Sequence, residues 1–146
     1  LHLSIRRQRQ MCIRDRYNGY IVGSEIGRGL DLFELQPSEF LTKNEIEAAK
    51  LVRTDEVNPQ LQTRITWPAA FPVARAYVDQ LQRANGLPAA RLAAVSRALD
   101  AAEKATPAAR RQALALLGSQ LAGDAAQSRD AAKVRLLQDV VRQLAK

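Results

Sequence analysis

Beyond residue 16 the chain contains no histidine, no cysteine and no methionine. The only copies of these residue types are His2, Met11 and Cys12. General acid–base catalysis near neutral pH most often uses histidine, and thiol nucleophiles and most zinc sites need cysteine or histidine. Without further cysteines a disulfide framework is also excluded. We therefore predict a non-enzymatic chain with no catalytic residue, no metal site and no cofactor.

Aromatic residues are also scarce, at 5% of the chain, although hydrophobic residues make up 47% of it. Alanine and leucine supply much of this apolar content, which is typical of closely packed helices rather than of stacked sheets. No run of 18 or more apolar residues is present. We therefore expect no segment that spans a membrane.

The formal net charge of +7 resembles that of a nucleic-acid-binding protein, but its distribution weakens this interpretation. Residues 1–16 contain five arginines and a single acidic residue. The remaining 17 basic and 14 acidic residues follow one another in mixed sign, as on an ordinary solvated surface. No aromatic residue follows Tyr77 to stack on bases. The sequence therefore predicts no nucleic-acid partner.

The N-terminal stretch RRQRQMCIRDR resembles the translated sequencing-adapter sequence found at the ends of open reading frames in metagenomic assemblies. We therefore predict that residues 1–16 are non-native and disordered. The native N-terminus would then be missing, which leaves the compartment unknown. A Cys12–His2 pair has neither a third orienting group nor enough ligands for zinc, so it predicts no site.

Residues 17–36 have a β pattern. Asn18-Gly19 is a strong hairpin-turn signal. Strands are predicted at Tyr20–Ser24 and Leu30–Leu35, joined by a glycine-containing connection. Because two strands alone are marginally stable in water, we expect this hairpin to be part of a larger sheet.

Residues 37–65 are predicted to be a linker with one helix, which begins at a Thr42–Glu45 capping box and runs to about Val52. Residues 66–146 are predicted to form a small antiparallel helical bundle. Its helix boundaries are indicated by Pro72, Asn85-Gly86, Pro88, Thr106-Pro107 and a break at Gly123-Asp124. Buried stripes are predicted at Ala74/Val78/Leu81, Leu92/Val95/Leu99/Ala102, Leu114/Leu117/Leu121 and Val134/Leu137/Val141/Leu144. The fold class is thus mainly α with an N-terminal β-hairpin.

The segment NGYIVGSEIGRGLDLFELQPSEFLTKNEIEAA resembles the C-terminal end of LVIVD-repeat proteins, a family of bacterial β-propellers. Tyr20-Ile21-Val22 and Gly29-Leu30-Asp31-Leu32 match the two strands of one repeat, so the hairpin would be a partial propeller blade. The resemblance implies an extracytoplasmic protein, periplasmic or secreted, with an interaction or scaffolding role. Its first partner would be the missing N-terminal blades of the same chain, since a propeller needs several blades.

Three other patterns have simpler interpretations than binding or catalysis. Gly23, Gly27 and Gly29 precede a strand rather than a helix, so they do not predict a phosphate loop. Asp31/Glu34 and Glu45/Glu47 have spacings that place the two carboxylates on different faces. The aromatic residues Trp67, Phe71 and Tyr77 are expected to pack at the linker junction.

The favoured function is therefore that of a structural or protein–protein interaction fragment at the C-terminus of an extracytoplasmic propeller protein. Self-association through the unpaired hairpin edge at Tyr20–Leu35 is expected. Two alternatives remain open. In the first, the chain would be a basic helical nucleic-acid-binding module. The residues that would contact phosphates are Arg110-Arg111 and the set Arg129, Lys133, Arg135 and Arg142. Otherwise, it is the non-catalytic tail of an enzyme whose active site is missing.

Overall fold

The computed structural model describes residues 14–25, 29–53, 55 and 65–146. An antiparallel sheet comes first along the chain and five helices follow it. The chain is mainly helical, which confirms the predicted fold class.

The sheet is a meander of three antiparallel strands: β1 (Arg14–Tyr17), β2 (Tyr20–Glu25) and β3 (Gly29–Glu34). Asn18 and Gly19 form the turn between β1 and β2, with φ angles of 47° and 99°. Positive φ at both central residues is what a two-residue hairpin turn of type I′ requires, and Asn-Gly adopts it readily. The turn signal in the sequence is thus confirmed.

The predicted hairpin is nevertheless one strand short. Arg14, Asp15 and Arg16, assigned from sequence to a disordered segment, pair with Gly23, Val22 and Ile21. The physical reason is the Asn-Gly turn, which needs a strand on both sides. The predictions for residues 1–13, including those for His2, Met11 and Cys12, lie outside the described residues.

Helix α1 (Lys43–Lys50) begins at the predicted capping box. The Thr42 hydroxyl accepts a hydrogen bond from the Glu45 backbone N–H, and the Glu45 carboxylate accepts one from the Thr42 N–H. The helix ends at Lys50, before the predicted end at about Val52, and its buried residues are Ile46 and Ala48.

Four further helices form the bundle: α2 (Phe71–Arg83), α3 (Ala89–Lys104), α4 (Pro107–Gln127) and α5 (Ala131–Leu144). Each contacts its neighbour in the chain, and α5 returns to contact α2. The α2–α3 and α4–α5 loops meet at one end, where the Arg129 N–H donates to the Gly86 carbonyl. Consecutive helices are therefore antiparallel, and α1 packs outside this ring against α2.

The core lies inside the ring, along the stripes predicted from the sequence. All the predicted stripe residues are buried except Leu144, which is partly buried. The periodicity missed several contributors because they lie at stripe edges or in a loop: Val73, Ala76, Leu87, Ala125 and Val140. Regular 3–4 spacing of Leu and Val was thus enough to orient every bundle helix.

The predicted break at Gly123-Asp124 is wrong, because α4 continues through both residues to Gln127. A glycine inside a helix costs only about 1 kcal/mol relative to alanine. Here Leu121 and Ala125 on either side are buried, and Asp124 pairs with Arg91 on α3. These tertiary contacts hold the helix together across the glycine.

Candidate interaction surfaces

Candidate metal-binding groups are absent from the described residues, 14–25, 29–53, 55 and 65–146. No group of three or more His, Cys, Asp or Glu residues there is arranged to hold a metal ion. Gly29 opens β3 with a φ of 93°, and Gly23 pairs with Asp31 inside the sheet. Gly23 and Gly29 therefore belong to strands, and Gly27 lies outside the described residues.

The suspected carboxylate pairs are also separated. Glu34 accepts a hydrogen bond from Lys50 at 2.9 Å, which ties the end of β3 to the end of α1. Asp31 lies three positions away in β3 and therefore on the other face. Glu45 binds Arg83, whereas Glu47 lies 3.7 Å from the Lys50 ammonium.

One face of the sheet has three exposed apolar side chains next to Glu34. Cross-strand partners lie on the same face of a sheet. The pairs Tyr20–Glu34 and Val22–Leu32 therefore share the first face, and the pairs between them lie on the opposite face. On the first face Leu30 and Leu32 are 64% and 65% exposed, and Tyr20 is 54% exposed. We call this surface, defined by Tyr20, Leu30 and Leu32, the apolar sheet face.

The two edges of the sheet differ. β1 is four residues long and has the sequence Arg-Asp-Arg-Tyr, and short charged edge strands discourage further pairing. β3 is six residues long, has the sequence Gly-Leu-Asp-Leu-Phe-Glu, and contains neither proline nor lysine. Its outer edge therefore has fewer of the features that prevent another strand from pairing with it.

The junction of α1 with α2 is polar and closely bonded. Asp79 on α2 accepts hydrogen bonds from the Thr42 hydroxyl at 2.7 Å and from the Asn44 amide at 2.8 Å. Arg83, one turn further along, donates to both oxygens of Glu45 at 2.7 and 3.1 Å. These bonds from Arg83, aided by the Thr42 N–H, lower the pKa of the Glu45 carboxyl from 4.5 to about 2.

We expect Glu45→Gln to destabilise the chain by about 1 kcal/mol at pH 7, because it removes a charge-assisted pair that is only partly shielded from solvent. A depressed carboxyl pKa contributes stability above pH 4.5 that is lost as the pH falls through about 2. The stabilities of the original chain and the variant, measured by urea unfolding, should therefore converge as the pH approaches 2. Glu47→Gln, at an exposed ion pair, is the control and should be neutral. A constant difference from pH 7 to pH 2 would contradict the assignment.

The three aromatic residues near the linker do not form one cluster. Phe71 packs against the core, with the guanidinium carbons of Arg75 and Arg110 5.8 and 5.9 Å from its ring centre. Tyr77 also packs against the core, and together with Trp67 it lines a groove of about 300 Å³ between α1, α2 and α5. Burial raises the pKa of the Tyr77 hydroxyl. The prediction of junction packing thus describes Phe71 and Tyr77, whereas Trp67 remains 39% exposed.

Three seams between neighbouring helices are closed by an arginine–carboxylate pair. Arg83 and Glu45 join α2 to α1 at 2.7 Å. Arg75 joins α2 to Asp100 of α3 at 2.7 Å, and Arg91 joins α3 to Asp124 of α4 at 2.8 Å. In each case a cation on one helix meets an acid on the next.

The α4–α5 seam has cations without such acids. Within the part of the chain that the structure describes, no ion pair involves the exposed residues Arg111 on α4, Arg135 and Arg142 on α5, or Lys146 just beyond it. We call these four residues the basic stripe. Of the other suspected phosphate ligands, Arg110 donates to the carbonyls of Ala102 and Glu103, and Lys133 lies 3.5 Å from Asp130.

Arg111, Arg135 and Arg142 were candidate phosphate ligands from sequence, but a charge count over the whole of residues 17–146 concealed how much positive charge the bundle carries. Residues 71–146 contain twelve basic and six acidic residues, a net charge of +6, whereas residues 17–70 contain five and eight, a net charge of −3. A count by segment would have revealed the asymmetry. The bundle is therefore distinctly basic.

No protein-family model, curated protein or solved structure matches the chain. The comparisons therefore leave the resemblance to LVIVD repeats untested. Among the described helices, none combines the length and apolar character needed to cross a bilayer, in agreement with the sequence expectation.

Proposed function

We propose that this chain is the C-terminal part of a larger extracytoplasmic β-propeller repeat protein, with a structural or protein-interaction role and no catalytic activity of its own. The observation that carries the proposal is the apolar sheet face formed by Tyr20, Leu30 and Leu32. Two leucines at alternate positions of β3, each about two-thirds exposed and on the same face as Tyr20, form an apolar patch of the kind that another surface covers.

The architecture of the sheet supports a propeller as the covering structure. A propeller blade is a four-stranded antiparallel sheet whose faces pack against the adjacent blades. β1, β2 and β3 form an antiparallel meander with one strand fewer. A further strand on the outer edge of β3 would complete a blade, and a neighbouring blade would bury Leu30 and Leu32.

The helical bundle would then be a module attached to the last blade. Lys50 connects the two parts, because its ammonium binds Glu34 at the end of β3 and its side-chain stem lies against the Asn18-Gly19 turn. α1 in turn is fixed to α2 by the bonds of Thr42, Asn44 and Glu45. The sheet would therefore be held to the bundle through α1.

The proposal predicts that the isolated chain self-associates through its sheet, since no other blade covers it. Leu30→Lys with Leu32→Lys should convert the chain to a monomer, because two charges on the apolar sheet face make burial against another copy unfavourable. Light scattering coupled to size-exclusion chromatography measures the mass. Helical circular dichroism should be unchanged, as both side chains point to solvent.

The matched control is Phe40→Lys with Leu116→Lys, which adds the same charge at two residues that are 75% and 61% exposed outside the sheet. This control variant should self-associate like the original chain. A chain that is already monomeric at all concentrations would overturn the idea of an uncovered blade. Equal loss of association in both variants would show that net charge, not the sheet, is responsible.

A further inference from the structure

We propose that the basic stripe on the α4–α5 seam binds an acidic helical segment of a partner protein. The first step is the contrast with the α1–α2, α2–α3 and α3–α4 seams, where each arginine has a carboxylate from the adjacent helix. Arg135 and Arg142 also border a seam, but within the described chain neither forms an ion pair with a carboxylate of the adjacent helix. A helix that supplied the missing carboxylates would repeat the chemistry of the other seams.

Helix geometry places the stripe on one line. Arg135 and Arg142 are seven residues apart, which is two turns and about 10.5 Å along α5. Gly118 of α4 lies beneath Arg142, whose Cγ would be only 3.2 Å from a β-carbon at that position. Arg111 lies two turns before Gly118 on α4. Because α4 runs antiparallel to α5, this places Arg111 near the C-terminal end of α5, where Lys146 follows.

The stem of Arg142 covers Gly118, but the charged head groups of the stripe are not required to close the seam beneath them. Val141 is fully buried, and the buried Gln138 amide donates to the Gly118 carbonyl at 2.9 Å. The arginine heads are therefore at the surface while the packing is complete without them. Their charge is left for an external partner.

The charge pattern favours a polypeptide over a nucleic acid. The exposed Asp139 lies between Arg135 and Arg142, so the order along α5 is positive, negative, positive. Duplex DNA has a phosphate charge about every 1.7 Å of its axis, and a phosphate near Asp139 would be repelled. A protein helix can place carboxylates opposite the arginines and a lysine or polar residue opposite Asp139. No aromatic residue is present in α3, α4 or α5 to stack on bases.

The test measures binding of the full chain to a fluorescein-labelled helical peptide in which glutamates recur every seven residues, with lysine between them. Fluorescence anisotropy is measured at about 0.15 M salt, where long-range attraction is largely screened. Arg135→Glu with Arg142→Glu should raise the peptide Kd at least tenfold, on the order expected for reversing two contacting charges. A short random-sequence DNA duplex and phosphatidylglycerol vesicles are the competing probes.

The matched control is Arg97→Glu with Lys104→Glu on α3. These two residues have the same seven-residue spacing, and their replacement changes the net charge by the same amount. Both are exposed and form no ion pair in the described chain. It should alter the peptide Kd by less than about twofold. Arg135→Gln with Arg142→Gln provides a milder variant if charge reversal disturbs folding, which circular dichroism would show.

Three results would overturn the proposal. Equal weakening by the stripe variant and the α3 variant would mean that only net charge matters. Tighter binding of the duplex or the vesicles than of the peptide, lost in the stripe variant, would assign the stripe to a nucleic acid or a membrane surface. Absence of peptide binding would leave the stripe without the proposed partner class. None of these outcomes depends on the self-association of the sheet, so the two proposals can fail separately.

Discussion

Leu117→Ala is expected to lower the free energy of unfolding by about 2–5 kcal/mol, whereas Leu116→Ala, one residue away, should change it by less than about 0.5 kcal/mol. Leu117 is 3% exposed in the core and Leu116 is 61% exposed on the outside of α4. Truncating the buried side chain loses its transfer free energy and leaves a cavity, but truncating the exposed one loses neither. Urea unfolding followed by helical circular dichroism measures both.

Leu99→Ala provides an independent check on the same core from α3, where Leu99 is fully buried. Its cost should fall in the same range of about 2–5 kcal/mol. The pair Leu116/Leu117 has identical residue type, helix and helix propensity, so only burial distinguishes the two variants. Similar costs at both positions, or a neutral result at Leu99 and Leu117, would show that the buried face of the bundle is assigned to the wrong side.

The sequence predicted the helices well where apolar residues recur with strong periodicity. Leu92, Val95 and Leu99 lie three and four positions apart, and only one helix face can bury all of them. The start of α1 was also predictable, because the Thr42–Glu45 capping box is a local motif whose bonds form within one turn. Both signals depend on residues close in the chain.

Features that depend on residues far apart in the chain were not predictable in this way. Continuation of α4 through Gly123 depends on Arg91, 33 residues before Asp124, and on burial of Ala125. The hydroxyl of Thr42 binds Asp79, 37 positions away. The seams therefore became visible only when the helices were placed side by side.

One feature of the basic stripe depends on residues far apart in the chain, whereas another could have been predicted from the sequence. That Arg135 and Arg142 lack acidic partners requires knowledge of which helices are adjacent. The positive charge of residues 71–146, in contrast, was available from the sequence alone. Similarly, β1 could have been expected from the Asn18-Gly19 turn, which needs a strand before it as well as after it.

The loop between α2 and α3 contains a glycine that is required for packing rather than for backbone conformation. Asn85, not Gly86, takes the left-handed conformation at the end of α2, with a φ of 49°. Gly86 is buried, its N–H donates to the Leu81 carbonyl, and its own carbonyl accepts from the Ser128 hydroxyl at 2.8 Å. It therefore joins the end of α2 to the loop before α5.

Gly86→Ala is expected to destabilise the chain by about 1–3 kcal/mol, because the added β-carbon would lie 2.7 Å from Cδ2 of the fully buried Leu81. Gly123→Ala is the matched control with the opposite sign. A β-carbon at Gly123 would have no atom within 4 Å apart from the nearby backbone of its own helix. Replacing this glycine by alanine should therefore stabilise α4 by about 0.5–1 kcal/mol. Thermal and urea unfolding of both variants measure the difference. A neutral Gly86→Ala would mean that Leu81 can shift without cost, and a destabilising Gly123→Ala would contradict the continuous helix through that residue.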